Sequence, residues 1–311
     1  MTTPAATTTE VMTTTSPSKI ASMILVAGGH DGRTYSTTVE ALTASSNEIQ
    51  LPDLPQKTYG YSMLNHFGVI LQCGSGTDST NVRRTCWKLE GKVWSIHSTL
   101  VKARYYAGAV TTPVASFIFG GYGSSKTTFE YLPKGSTNWQ SGIYAIPGGF
   151  YGGCSVATSP QEVWLIGGDG SIGNRIVFFN VTSHTFKILS TIMNRKRDDC
   201  GCVQIPNTTK IMITGGKDGS IYHSSTEIFD TSTRTISYGP SMNSQRAYHG
   251  LGILTILNED RVVAIGGYTG SQNLDTVEAY NQYTNTWGYL SIQLLSPKRA
   301  FGSLTIKEGD I

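Results

Sequence analysis

The chain has 311 residues, of which 39% are apolar and 14% charged, with a formal charge of +3. That is enough apolar content for a core, but the longest apolar runs, at 24–27 and 262–265, are far below the ~20 residues of a spanning helix. A charge this small calls for no nucleic acid or other polyanion, and the 35 glycines and 16 tyrosines predict many short strands joined by glycine-rich turns, an all-β domain.

In chain order, residues 1–19 come first, a Thr-rich stretch with two prolines and almost no apolar content. It cannot bury enough surface to offset its ordering entropy, so 1–19 is expected to be a disordered leader and 20–311 the folded domain. Its composition resembles an O-glycosylated stalk and equally fits a plain unstructured tail. No basic segment followed by an apolar one opens the chain, so no secretory signal is expected.

From residue 24 onward an apolar strand ending in paired glycines recurs. It reads ILVAGG (Gly28, Gly29), FIFGG (Gly120, Gly121), VWLIGG (Gly167, Gly168), IMITGG (Gly215, Gly216) and VVAIGG (Gly266, Gly267). A degenerate copy, VILQCGSG, has Gly74 and Gly76 where the pair belongs. The first glycines fall 46, 46, 47, 48 and 51 residues apart, a period of one supersecondary unit. After each pair come a polar loop, a strand, a turn and an aromatic strand. Trp94, Trp139 and Trp287 hold the aromatic position, with Ile49, Phe186 and Ile236 in the other units. Arg104, Arg197, Arg246 and Arg299 then open a further strand of small residues.

A glycine pair, a Glu before an aromatic, a Thr-Asn-x-Trp turn and an Arg opening the next strand together resemble the Kelch repeat family, and Glu40, Glu130, Glu227 and Glu278 match the family's Glu. The second and fourth units depart from it, with Thr85 and with Val177 or Phe178 near the Glu position. The resemblance covers residues 20 to 311 and implies a six-bladed Kelch-type β-propeller. Unit one lacks an innermost strand and 299–309 supplies one with nothing after it, so the C-terminal strand is expected to complete the first blade and close the ring. The Trp side chains are expected to wedge between blades, and glycines to allow close backbone approach.

A search for catalytic groups finds little. Tyr248-His249 looks like the copper-ligand segment of galactose oxidase, which shares the fold, but the accompanying Tyr–Cys pair and second His are not matched. His30, His66, His97, His184 and His223 are dispersed, and Asp198-Asp199 and the repeat Glu residues read as partners for Arg rather than as catalytic acids. There is no GxSxG, HExxH or P-loop. No catalytic residue, no metal and no cofactor are therefore expected. A sugar-processing enzyme is the weaker alternative.

The loops after the glycine pairs and those entering the Arg strands must share one face. Fifteen cations fall there against six Asp, interleaved with tyrosines. The expected ligand-binding residues are Arg33, Tyr59, Arg83, Arg84, Arg104, Tyr105, Tyr122, Tyr151, Arg197, Tyr222, Arg246, Tyr248, Tyr268 and Arg299. Tyr and Arg dominate binding hot spots, and guanidinium forks suit carboxylates or sulfates. The expectation is a non-catalytic binding module for a protein or acidic peptide, or an anionic glycan, with about half of the arginines locked to repeat glutamates. Intracellular Kelch proteins commonly couple the propeller to ubiquitin ligation through a BTB domain; no such helical domain is visible here, which leaves a substrate-receptor half as the alternative.

Five cysteines leave at least one unpaired, and Cys200 and Cys202 have no zinc-ligand partners at suitable spacing. Cys73 and Cys86 are expected on adjacent strands, where a disulfide can form. That pair, with the sequons Asn180-Val-Thr182 and Asn207-Thr-Thr209, favours an extracellular setting over the cytoplasmic alternative.

Overall fold

The computed structural model describes residues 20–44, 49–76, 82–169 and 173–310. The expected leader, 1–19, and one of the six Asp counted on the cation-rich face, Asp78, lie outside the described residues.

Six four-stranded antiparallel sheets form the six blades of a propeller. Blade 2 runs Ser62–His66, Val69–Gly76, Val82–Glu90 and Val93–Thr99 from the axis outward. Blades 3 to 6 repeat this plan, with innermost strands Gly108–Thr111, Cys154–Ser159, Gly201–Gln204 and Gly250–Ile256. Blade 1 is assembled from both ends of the domain: Gly302–Lys307 is its innermost strand, paired with Ser22–Ala27 from Ala27↔Gly302 to Ser22↔Lys307. The predicted closure is present. In every blade the glycine-pair strand is second from the axis, apolar on both sides because it is covered by a blade on each face.

One four-stranded sheet cannot bury its own faces, so the core lies between sheets. Six apolar clusters occupy the six interfaces. The Trp residues wedge as expected. Trp94 of blade 2 packs among Leu25, Val39 and Leu54 of blade 1 and donates its indole N–H to Pro52 O at 2.8 Å. Trp139 of blade 3 packs on Leu64, Leu71 and Cys73 of blade 2, donating to Ser98 Oγ at 3.1 Å. Trp287 of blade 6 packs on Ile205, Met212 and Met242 of blade 5.

The first glycine of the pair is required on two counts at Gly120. Its φ is +65°, and a Cβ there would stand 1.8 Å from Phe150 O of blade 4. The second glycine's N–H then hydrogen-bonds the next blade: Gly121 to Phe150 O, Gly168 to Arg197 O and Gly216 to Arg246 O, at 2.8–2.9 Å. In the degenerate copy the pair is Gly74-Ser75 rather than Gly74 with Gly76, since Ser75 N–H makes the equivalent bond to Arg104 O at 3.1 Å.

Cys73 and Cys86 pair directly across two strands of blade 2, Cα atoms 4.0 Å apart, and are joined by a disulfide. A second disulfide, Cys154–Cys202, links the innermost strands of blades 4 and 5. Cys200 is the buried free thiol.

Candidate functional site

Each innermost strand is entered by a segment that crosses one mouth of the pore. Counting back from the first strand residue (Gly302, Ser62, Gly108, Cys154, Gly201, Gly250), the residue two before it is Ala300, Gly60, Tyr106, Gly152, Asp199 or Tyr248. All six have φ between 53° and 66°. The left-handed turn points each N–H at the carbonyl of its predecessor around the axis: Tyr106 to Gly60, Gly152 to Tyr106, Asp199 to Gly152, Tyr248 to Asp199, Ala300 to Tyr248 and Gly60 to Ala300, at 2.5–3.0 Å. The mouth is therefore bounded by a closed cycle of backbone hydrogen bonds. Holding four non-glycine residues in this region costs each about 1 kcal/mol or more, offset by bonds at a site where the carbonyls turn from water.

Four residues before the strand stands the repeat cation. Arg104, Arg197 and Arg246 are 0–1% exposed, paired to Glu130, Glu227 and Glu278 at 2.6, 3.1 and 2.8 Å. Each Glu also accepts two backbone N–H groups of the entering loop; Glu130 takes those of Val101 and Lys102 at 2.7 and 2.9 Å. This corrects the expectation for these three arginines: desolvated and locked to carboxylates, they hold the loops and do not reach a ligand. Blade 1 brings a second correction. The paired cation is Lys298, whose Nζ lies 2.8 Å from Glu40, both side chains buried, and 3.0 Å from Thr38 Oγ1. Arg299, next in sequence, is left on the mouth with its guanidinium 4.2 Å from the Tyr268 ring centroid.

The tyrosines do assemble. Tyr35 stacks on Tyr59 with centroids 4.8 Å apart; Tyr59 meets Tyr105 and Tyr106 at 5.7 Å, Tyr105 meets Tyr122 at 5.2 Å, and Tyr122 meets Tyr151 at 5.5 Å. The result is a continuous belt over blades 1 to 4. His30 extends it at one end and Lys126, 4.7 Å above the Tyr151 ring, at the other. Tyr106 joins it to Tyr248 across the axis at 5.9 Å. Tyr222 and Tyr268 form a separate pair on blades 5 and 6 at 5.5 Å. Tyr122 is the most exposed of the belt at 44%, and Tyr105 is buried beneath its neighbours. Arg33, Arg83 and Arg84 are exposed on the blade 1 and 2 side of this face.

Inside the mouth the charges reverse. Lys217 holds Asp198 at 2.8 Å and Asp199 at 3.6 Å, and lies 5.6 Å over the Tyr248 ring. Burial, then the neighbouring Asp198, keeps the Asp199 carboxyl well above the usual carboxylate range. Burial opposes the charge on Lys217, but the two carboxylates hold it above its ordinary value. Burial and Asp199 likewise raise Tyr248. Below lies a cavity of about 220 Å³ on the axis, lined by residues of all six blades: Ser62, Gly108, Cys154, Gly201 and Gly302 at the starts of five innermost strands, and Leu251 on the sixth. His249 faces it with Nε2 engaged by Thr214 Oγ1 at 2.8 Å; burial, then Arg246 and Arg197, push it down to about 3. Among the described residues no three His, Cys, Asp or Glu are grouped to hold a metal.

Six four-stranded blades, one of them built from both ends of the domain, with a buried Arg–Glu clamp in blades 3, 5 and 6 and a Lys–Glu pair in blade 1, define a six-bladed β-propeller. The Kelch motif model matches residues 258–291, the second to fourth strands of blade 6. Kelch-like protein 23 of Mus musculus and that of Homo sapiens are each 23% identical to the chain over 265 residues, covering 83% of it. The chain spans 45% of the length of these curated relatives. Among the described residues no helix is long and apolar enough to cross a membrane.

Proposed function

We propose that this propeller is a non-catalytic binding module that holds an extended protein segment with acidic side chains across the tyrosine belt. The continuity of the belt from Tyr35 to Tyr151 carries this reading. Five rings in mutual contact, seated on a hydrogen-bonded backbone cycle, offer a large preorganised surface that loses little entropy on binding. Arg33, Arg83, Arg84 and Arg299 flank the belt; four of the fifteen cations on this side are neutralised in place by Glu, so the charge excess is smaller than the sequence count, yet the cations that remain near the belt are accessible. Kelch propellers serve typically as protein-interaction modules, which supports a protein ligand over a sugar.

The test is a fluorescence-anisotropy screen of the full chain against acidic, neutral and basic peptides and sulfated oligosaccharides at low and high salt. Acidic peptides should bind, weaken as salt rises, and lose about tenfold or more on Tyr122→Ala, the scale of a truncated hot spot. Binding confined to sulfated sugars, or indifferent to Tyr122→Ala, would replace this ligand class or this surface.

A further inference from the structure

Three cysteines meet where blades 4 and 5 adjoin beside the axial cavity. Cys154 opens the innermost strand of blade 4 and is bonded to Cys202 on that of blade 5. Cys200, two residues earlier on the same chain segment, directs its thiol at the same atom: its Sγ lies 3.8 Å from Cys154 Sγ. Cys202 lies on the Gly201–Gln204 strand and Cys200 just before it, and both sulfurs reach Cys154 of blade 4, one bonded and one 3.8 Å away. All three line the cavity and are reached from it.

The geometry points to a disulfide that exchanges between two registers. The Cys200 thiol, having given its proton to solvent, attacks Cys154 Sγ as thiolate; the Cys154–Cys202 bond breaks, the Cys154–Cys200 bond forms, and Cys202 leaves as thiolate and takes up a proton. One disulfide and one thiol stand on each side, so no external oxidant or reductant is required.

The two isomers differ in where the blades are tied. Moving the bond from Cys202 to Cys200 carries its blade 5 anchor two residues, at most about 7 Å of chain, toward the mouth while Cys154 keeps its place. The bond then ends one residue from Asp199, whose N–H closes the backbone cycle on Gly152 O. The Cys154–Cys202 isomer ties the channel wall and leaves that link to hydrogen bonding; the Cys154–Cys200 isomer staples it covalently. Burial pushes the Cys200 thiol up to about 12, with Arg197 working to lower it and Asp198 and Asp199 to raise it. The thiolate is scarce at neutral pH, so the exchange is slow there and accelerates about tenfold per pH unit while the pH stays below that value.

The full oxidised chain, incubated from pH 7 to pH 10, acid-quenched and alkylated in denaturant, gives the readout. Cleavage after Arg197 and Lys210 leaves Cys200 and Cys202 in one peptide, and fragment ions on either side of Gly201 place the label. The label should begin on Cys200 and migrate in part to Cys202, faster at each higher pH, with Cys73–Cys86 intact throughout. Cys200→Ser should hold the bond at Cys202 at every pH, and Cys202→Ser should form Cys154–Cys200. A label confined to Cys200 at all pH values overturns the exchange; should Cys202→Ser not fold, the migration in the unsubstituted chain decides.

Discussion

The Arg246 guanidinium makes five hydrogen bonds inside the protein: two to Glu278, one to Gly266 O, and one each to the carbonyl and hydroxyl of Thr276. Glu278 is equally committed, accepting the Asn243 and Ser244 N–H groups at 2.6 and 3.1 Å. Neither group has a route to water, so removing one leaves the other charged and unpaired. Arg246→Ala should cost about 3–5 kcal/mol in chemical denaturation. The double variant Arg246→Met with Glu278→Leu should recover part of that loss, because two backbone carbonyls and two N–H groups still lack their partners. Full recovery would show that the loop does not depend on the clamp. At this scale the sequence was legible by counting. Arg104, Arg197 and Arg246 stand four residues before Gly108, Gly201 and Gly250; the same count from Gly302 gives Lys298, while residue type alone favours Arg299. The partial exposure of Arg299 and the burial of the other three follow from that one-residue difference.

At the scale of the blade, the glycine pair marks where one sheet leans on the next. Gly120 and Gly68 both have positive φ, +65° and +94°, but differ in what surrounds them. A Cβ at Gly68 meets nothing within 4 Å, whereas at Gly120 it meets the blade 4 backbone. Gly68→Ala should therefore cost only the left-handed penalty of about 1–2 kcal/mol. Gly120→Ala should cost at least about twice that, because the neighbouring sheet must move. Equal melting temperatures for the two variants would contradict the close approach. The period, the glycines and the wedging Trp side chains could all be read beforehand, since each repeats at a fixed position. The contacts between blades could not. Cys154 and Cys202 lie 48 residues apart on different repeats, and only the rotation of one sheet against the next brings them together. The mouth cycle was hidden for another reason: its six positions are Gly, Tyr, Gly, Asp, Tyr and Ala, so backbone angle recurs where residue type does not.

For the whole molecule, stability is shared around a ring. Blade 1 takes its innermost strand from the far end of the chain, and Ile306 on that strand and Phe301 just before it enter the two interfaces flanking blade 1. Removing 299–311 would strip a strand from blade 1, expose both interfaces and withdraw Ala300 from the mouth cycle. The truncated protein should lose its cooperative thermal transition or melt well below the intact chain; an unchanged midpoint would mean that the ring does not depend on closure.

The mouth cycle also has a direction. Every link runs donor to acceptor in the same rotational sense, each residue giving its N–H to one neighbour and its carbonyl to the other. Guests at this opening therefore meet a rim whose six donors and six acceptors already satisfy one another, unlike the unpaired N–H groups at a helix end. Whatever polarity they sense comes from side chains, and recognition there can diverge by substitution while the frame beneath stays unaltered.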